Sequence, residues 1–141
     1  METYITSCNL NKFNLISHFN QYTRVFWKDI TKCNVNDIVY IYIGRPYSQL
    51  MYKCKVVEKD CDISGCDYVE DDKQRMRKFM KLELLSKISS KISLENLLEN
   101  GLKTVQCSTR ASEQLITYIN EVEWYGKNEN GISRYDCTEY R

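Results

Sequence analysis

The chain is short of the groups from which most active sites are built. It has one histidine, His18, in 141 residues, so a Cys–His pair would have to use it, and no cysteine sits in a recognisable nucleophile context. G-x-S-x-G, a phosphate-binding glycine loop and H-E-x-x-H are all missing. Glu58-Lys59-Asp60 and Lys81-Leu82-Glu83 are weak candidates for a metal-dependent nuclease, and charge alternation on an exposed strand explains them equally well. No C-x-x-C pair occurs. Cys54, Cys61 and Cys66 come nearest to a ligand set but lack tetrahedral zinc spacing. These absences set the expectation of no metal, no cofactor and no enzymatic activity.

Other scarcities bound the class. No apolar run approaches membrane-spanning length, and Met1–Leu10 lacks the basic-then-apolar order of a signal peptide. A cytoplasmic protein is expected. Net charge is only +1, so affinity for nucleic acid has to come from a local patch. The seven cysteines are odd in number and scattered through regular structure. In a reducing compartment that pattern means free thiols used as small apolar residues.

What the chain does have is a β-hairpin. Asp37–Ile43 (DIVYIYI) is an unbroken β-branched and aromatic run, Gly44-Arg45-Pro46-Tyr47-Ser48 supplies a turn, and Leu50–Val57 alternates apolar with basic residues. Val39, Ile41 and Ile43 share one face of the first strand, and Ile38, Tyr40 and Tyr42 share the other. Both faces are apolar, so this strand should be central and covered twice. Leu50, Tyr52, Cys54 and Val56 should face one way on the next.

Glu2–Cys8 alternates as a strand, and Asn11–Gln21 has helical spacing with Asn9 as a candidate cap. His18 on that helix reads as a partly exposed surface residue. Thr23–Trp27 is β-prone, Asp60–Lys73 is a long acidic loop, and Phe79–Ile88 is a strand with Met80, Leu82 and Leu84 inward. Ser93 caps a helix that Asn100-Gly101 ends. Lys103–Arg110 is irregular, Ser112–Glu123 is the last helix, and the chain from Gly126 onward is polar and aperiodic. Length allows one domain, placed at residues 1–125 with a tail over 126–141. The class expected is α+β, a curved and largely closed β-barrel of five to six strands with helices plugging its ends.

Aromatics beside cations recur at the turns: Phe26-Trp27-Lys28, Arg45-Pro46-Tyr47 and Arg77-Lys78-Phe79. Aromatic faces stack bases, and Lys or Arg neutralise phosphate. The chain also carries eleven tyrosines, each with a flat face and a polar tip.

The N-terminal strand ending in Ser7-Cys8-Asn9, then Phe26-Trp27-Lys28, the Asn36–Tyr47 hairpin strand, Met51–Val56 and Met80–Leu85 together resemble the EVE domain family of the PUA-like superfamily, relatives of the YTH domains. Ser93-Leu94-Glu95, Gly101-Leu102-Lys103 and Ser112–Leu115 continue the resemblance, which spans about Tyr4 to Val122. It implies a reader of a modified base, methylated and in DNA, flipped into a pocket and coupled in some relatives to a nuclease partner. Carried onto this chain, Trp27 or Phe26 would wall the pocket, and Ser7, Cys8 and Asn9 would bond the base edge. Arg45, Pro46 and Tyr47 would form the rim, with Lys28, Arg77 and Lys78 on phosphate. An aromatic slot favours an added methyl by about 1–2 kcal/mol. The alternative is a protein-interaction module on the same barrel without a base pocket. Two departures from the family pattern stand out: the acidic loop offers only Tyr68 as an aromatic, and Gln106–Thr109 lacks the Gly-Pro pair of close relatives.

Overall fold

Alternation along the strands decides which side chains meet. The computed structural model describes residues 1–30, 32–61, 78–105 and 108–130. Its elements are β1 (Thr3–Cys8), α1 (Leu15–Gln21), β2 (Arg24–Lys28), β3 (Ile38–Ile43), β4 (Gln49–Cys61), β5 (Phe79–Lys87), α2 (Leu94–Glu99), β6 (Thr109–Arg110) and α3 (Glu113–Asn130). The strands form one mixed sheet in the order β2-β5-β4-β3-β1-β6. β1 lies parallel to β3, from Thr3 opposite Ile38 to Cys8 opposite Ile43, and the other pairings are antiparallel.

The α+β class holds, but among the described residues the sheet is open and not a closed barrel. β2 and β6 are its edges, and β6 reaches only Tyr4 and Ile5 of β1. Two extended residues are too few to carry a ladder onward to β2.

The helices cover the two faces of the sheet; they do not plug its ends. On one face Leu15 and Phe19 of α1 join Tyr4, Cys8, Val25, Trp27, Val39, Ile41, Ile43, Tyr52, Cys54, Val56, Met80 and Leu82. On the other, Leu97 of α2 and Leu115 and Ile119 of α3 pack on Ile5, Tyr40, Tyr42 and Leu50. β3 is thus buried on both sides, as its sequence required. Leu50 departs from its expected face because the β3–β4 register shifts between Ile41 and Tyr42, leaving Met51 as an extra residue. A bulge of that kind reverses the side-chain parity beyond it.

Local chemistry sets the helix ends. α1 is capped by Asn14, not Asn9: Asn14 Oδ1 accepts the Ser17 N–H at 3.1 Å. α2 begins with a capping box between Ser93 and Asn96. It ends in a Schellman motif, with Leu102 N–H donating to Leu97 O at 3.0 Å and Gly101 N–H to Leu98 O at 3.3 Å. Gly101 takes φ +112, which explains a glycine after Asn100. α3 extends to Asn130, so residues 126–130 belong to it and not to a tail; 131–141 lie outside the described residues.

Two expectations made for single residues are corrected here. His18 is buried: its Nε2–H donates to Arg24 O at 2.6 Å, and its ring stacks on Tyr22 at 5.0 Å. Trp27 is fully buried, because Val25 and Trp27 share the inward parity of β2 while Arg24, Phe26 and Lys28 take the outward one.

The segment before β3 is pinned from both sides. Asp37 is buried, and its carboxylate accepts N–H bonds from Asn34 at 2.8 Å and Glu2 at 3.0 Å. Lys59 Nζ pairs with Asp29 at 2.6 Å and donates to the carbonyls of Ile30 and Cys33 at 3.1 and 2.7 Å. Nearby, burial first and the Asp37 carboxylate second push the Cys33 thiol up to about 11.

Two stability measurements follow. Trp27→Ala is expected to lower the unfolding free energy by about 3–5 kcal/mol in urea titration, with Trp27→Phe losing less. At high pH, Cys33 is held neutral in the fold while the unfolded thiol ionises near 9.0. Its contribution is therefore complete below that value and is lost as pH rises through about 11. Tyr40, pushed by burial to about 12, extends the loss upward. Melting temperatures measured between neutral and strongly alkaline pH should fall over that window, and less steeply in Cys33→Ser relative to its own neutral value.

Candidate nucleic-acid interface

The parallel strands β1 and β3 end side by side, and the chain turns away from both. Gly44 N–H donates to Cys8 O at 3.2 Å, tying the hairpin turn to the end of β1. Beyond Cys8, Asn9 O accepts from Lys12 N–H at 2.9 Å and Phe13 N–H at 3.1 Å, and Asn9 Oδ1 from Asn11 N–H at 2.9 Å. Two tight turns therefore diverge from adjacent strand ends and leave a cleft of about 380 Å³ between them.

Ser7, Cys8, Asn9, Leu10 and Asn11 form one wall. Tyr42, Gly44 and Arg45 form the second, and Val105, arriving from far along the chain, closes the third. The volume falls in the lower range of small-molecule sites. No carboxylate is among the lining residues, and Arg45 is exposed. β6 pairs only with Tyr4 and Ile5, so it does not flank β1 here.

The structure brings together Ser7, Cys8, Asn9 and Arg45 from the expected site. Pro46 and Tyr47 are exposed next to Arg45 at the hairpin tip. It does not bring Trp27 or Phe26 to this cleft. Strand parity sends Trp27 into the core, where its Nε1–H has no acceptor among the described residues.

Phe26 lines a separate cleft of about 240 Å³ at the β2 edge, with Tyr22, Arg24 and Lys81. β5 and β4 separate β2 from β3 in the sheet. The cations there are matched already: Lys81 with Glu58 at 3.2 Å and Arg24 with Glu83 at 3.6 Å. Lys28 lies on that edge, and Lys78 Nζ is 3.9 Å from Asp60, so neither borders the β1–β3 cleft. Arg77 and Tyr68 lie outside the described residues.

Sequence reasoning missed Leu10, Asn11, Tyr42 and Val105 as lining residues and placed Gly44 only with the rim. Gly44 carried a signal, since it follows the strongest strand in the chain. Its φ is not positive, and a Cβ there would meet only Cys8 O at 3.8 Å. Neither backbone nor packing demands a glycine, so what the missing side chain provides is open space in the cleft. Among the described residues no three His, Cys, Asp or Glu side chains gather as a metal site would need.

The fold, a mixed six-stranded sheet with helices on both faces, is similar to that of several solved structures. A solved ASCH structure from Zymomonas mobilis is 15% identical with a TM-score of 0.60, the match covering 86% of this chain and 95% of that one. A hypothetical protein from Leishmania major is 12% identical with a TM-score of 0.64, covering 90% of this chain and 97% of that one. A protein from Pseudomonas syringae is 11% identical at 0.63, covering 86% and 99%. No family description and no curated protein matches the chain. Likeness at these identities is one of fold, and it does not single out the EVE family.

The two glycines should respond oppositely to substitution. Gly44→Ala is expected to leave the thermal midpoint nearly unchanged, whereas Gly101→Ala, forced to keep a left-handed φ, should cost about 1–2 kcal/mol. Thermal melts of both variants beside the parent check this.

Proposed function

We propose that this chain is a nucleic-acid-binding module that takes one nucleotide of a single strand into the β1–β3 cleft and carries out no chemistry on it. The observation that carries the reading is the lining itself. Polar side chains and strand ends converge on a concave site without carboxylates, and one guanidinium stands at its rim. Carboxylates would repel a phosphate; an arginine attracts one through several N–H donors at once. The walls suit a planar group with polar edges: Val105 and Leu10 are apolar, and Tyr42 adds an aromatic ring.

The near-neutral chain fits a reader of one nucleotide better than a protein that coats a strand. Arg45 is the one cation lining the cleft among the described residues. Affinity should therefore fall only shallowly with salt, with a slope of about −0.7 for each phosphate neutralised on a single strand. The PUA-like fold of the ASCH neighbours supports the same class of ligand.

A methylated base in DNA is the finer form of this reading, and a nuclease partner would be its associate. Here the methyl would have to lie against Val105, Leu10 or Tyr42, since Trp27 is not a wall. Fluorescence anisotropy with labelled single-stranded DNA and RNA, unmodified and methylated, tests both levels. Binding that drops about tenfold in Arg45→Ala, with an unchanged melting temperature, is the expected result. Failure to bind any strand, or an Arg45→Ala variant that binds as the parent does, sinks the reading. Equal affinity for methylated and plain strands removes only the finer form. Appearance of cleavage products during incubation would make the module an enzyme.

A further inference from the structure

Resting on the nucleotide reading of the cleft, we infer that Gly44 sets the size of base the cleft admits, its bare backbone being the surface against which the base lies. A glycine costs conformational entropy on folding, so its place at a strand end asks for a reason. The hairpin turn does not supply one. Its left-handed position is Ser48, at φ +50, and Gly44 has no positive φ. The turn thus puts a side chain where glycine would be easiest, and a glycine where any residue would fit. Packing supplies no reason either. Beyond its chain neighbours, a Cβ on Gly44 would have Cys8 O at 3.8 Å as its one near contact.

What remains is the cleft. Cys8 belongs to one wall and Gly44 to the next, so a side chain at 44 would stand between the two. The backbone there has nothing further to give by hydrogen bonding. Gly44 N–H donates to Cys8 O at 3.2 Å, and Gly44 O accepts from Tyr47 N–H at 3.1 Å and Ser48 N–H at 3.2 Å. One donor and two lone pairs are all engaged. A peptide so satisfied meets a ligand by contact alone, and glycine is the residue that lets backbone and ligand approach closely. Tyr42 and Val105, lining the same cleft, add apolar contact for a planar group. At about 380 Å³ the space is small, so an added carbon takes room that a large base needs before a small one does. A purine, with two fused rings, is crowded out before a pyrimidine with one.

The experiment measures labelled oligo-dA and oligo-dT of equal length by anisotropy. Each variant is compared with the parent on the same strand, so differences between the free strands cancel. Gly44→Ala should weaken oligo-dA about tenfold and oligo-dT by less, with an unchanged thermal midpoint. Gly44→Val should remove oligo-dA binding and weaken oligo-dT. Ser48→Gly relaxes the turn at a residue that does not line the cleft, and should bind both strands as the parent does. Parent-like binding by both Gly44 variants overturns the inference while leaving the cleft reading intact, and so does an equal loss on both strands in Gly44→Ala. A lowered thermal midpoint in Gly44→Ala, or the same loss of binding in Ser48→Gly, assigns the glycine to the turn and overturns it too. Absence of any binding by the parent overturns the reading and this inference together.

Discussion

The strand that cannot be moved is β3. Its Val39, Ile41 and Ile43 lie in one core and its Tyr40 and Tyr42 in the other. A shift of one residue in its register would exchange these sets and place two tyrosine hydroxyls among Trp27, Met80 and Leu82. β1 is fixed by lying parallel to it, and β4 by the hairpin. The position of the cleft follows from the same constraint: it lies where β1 and β3 stop together, and Gly44 N–H bonding to Cys8 O marks the stop. Burial on both faces accounts for the framework, and short polar turns account for the site.

The framework was legible because its signals are local. Period-two alternation in Glu2–Cys8 and Phe79–Ile88, the hairpin turn at Gly44, the Ser93 cap and the Asn100-Gly101 stop all report themselves within a few residues. The misreadings have particular causes. Asn9 and Asn14 are both plausible caps in a segment with several asparagines, and only three-dimensional geometry says that Asn14 caps while Asn9 closes a turn. The Met51 bulge moved Leu50 to the other core, since an inserted residue leaves no mark in an alternating pattern. Closure of the sheet depended on what β6 could reach, a tertiary matter.

The site was half legible. Ser7, Cys8, Asn9 and Arg45 do meet in one cleft. Trp27 was drawn toward it by resemblance, against its own strand parity: Val25 and Trp27 had to share a face, and Val25 in a short strand beside β5 had nowhere to go but the core. Family likeness suggested a role, but alternation determined the burial. Val105 could not have been found, because nothing near it in sequence points toward residues almost a hundred positions earlier.

That distance has a consequence for how the molecule comes into being. The Ser108 hydroxyl donates to Thr6 Oγ1 at 2.8 Å, and Ile5 pairs with Thr109. β1 is thus completed by residues synthesised about a hundred positions after it. Until they emerge, β1 has β3 on one side and nothing on the other, and its polar hydroxyls and backbone face water. Closing so large a loop is entropically slow compared with forming the β3–β4 hairpin. The cleft, with Val105 as its last wall, is not complete until about a hundred residues beyond β1 have been made. A nascent chain carries the rim arginine long before it carries a pocket.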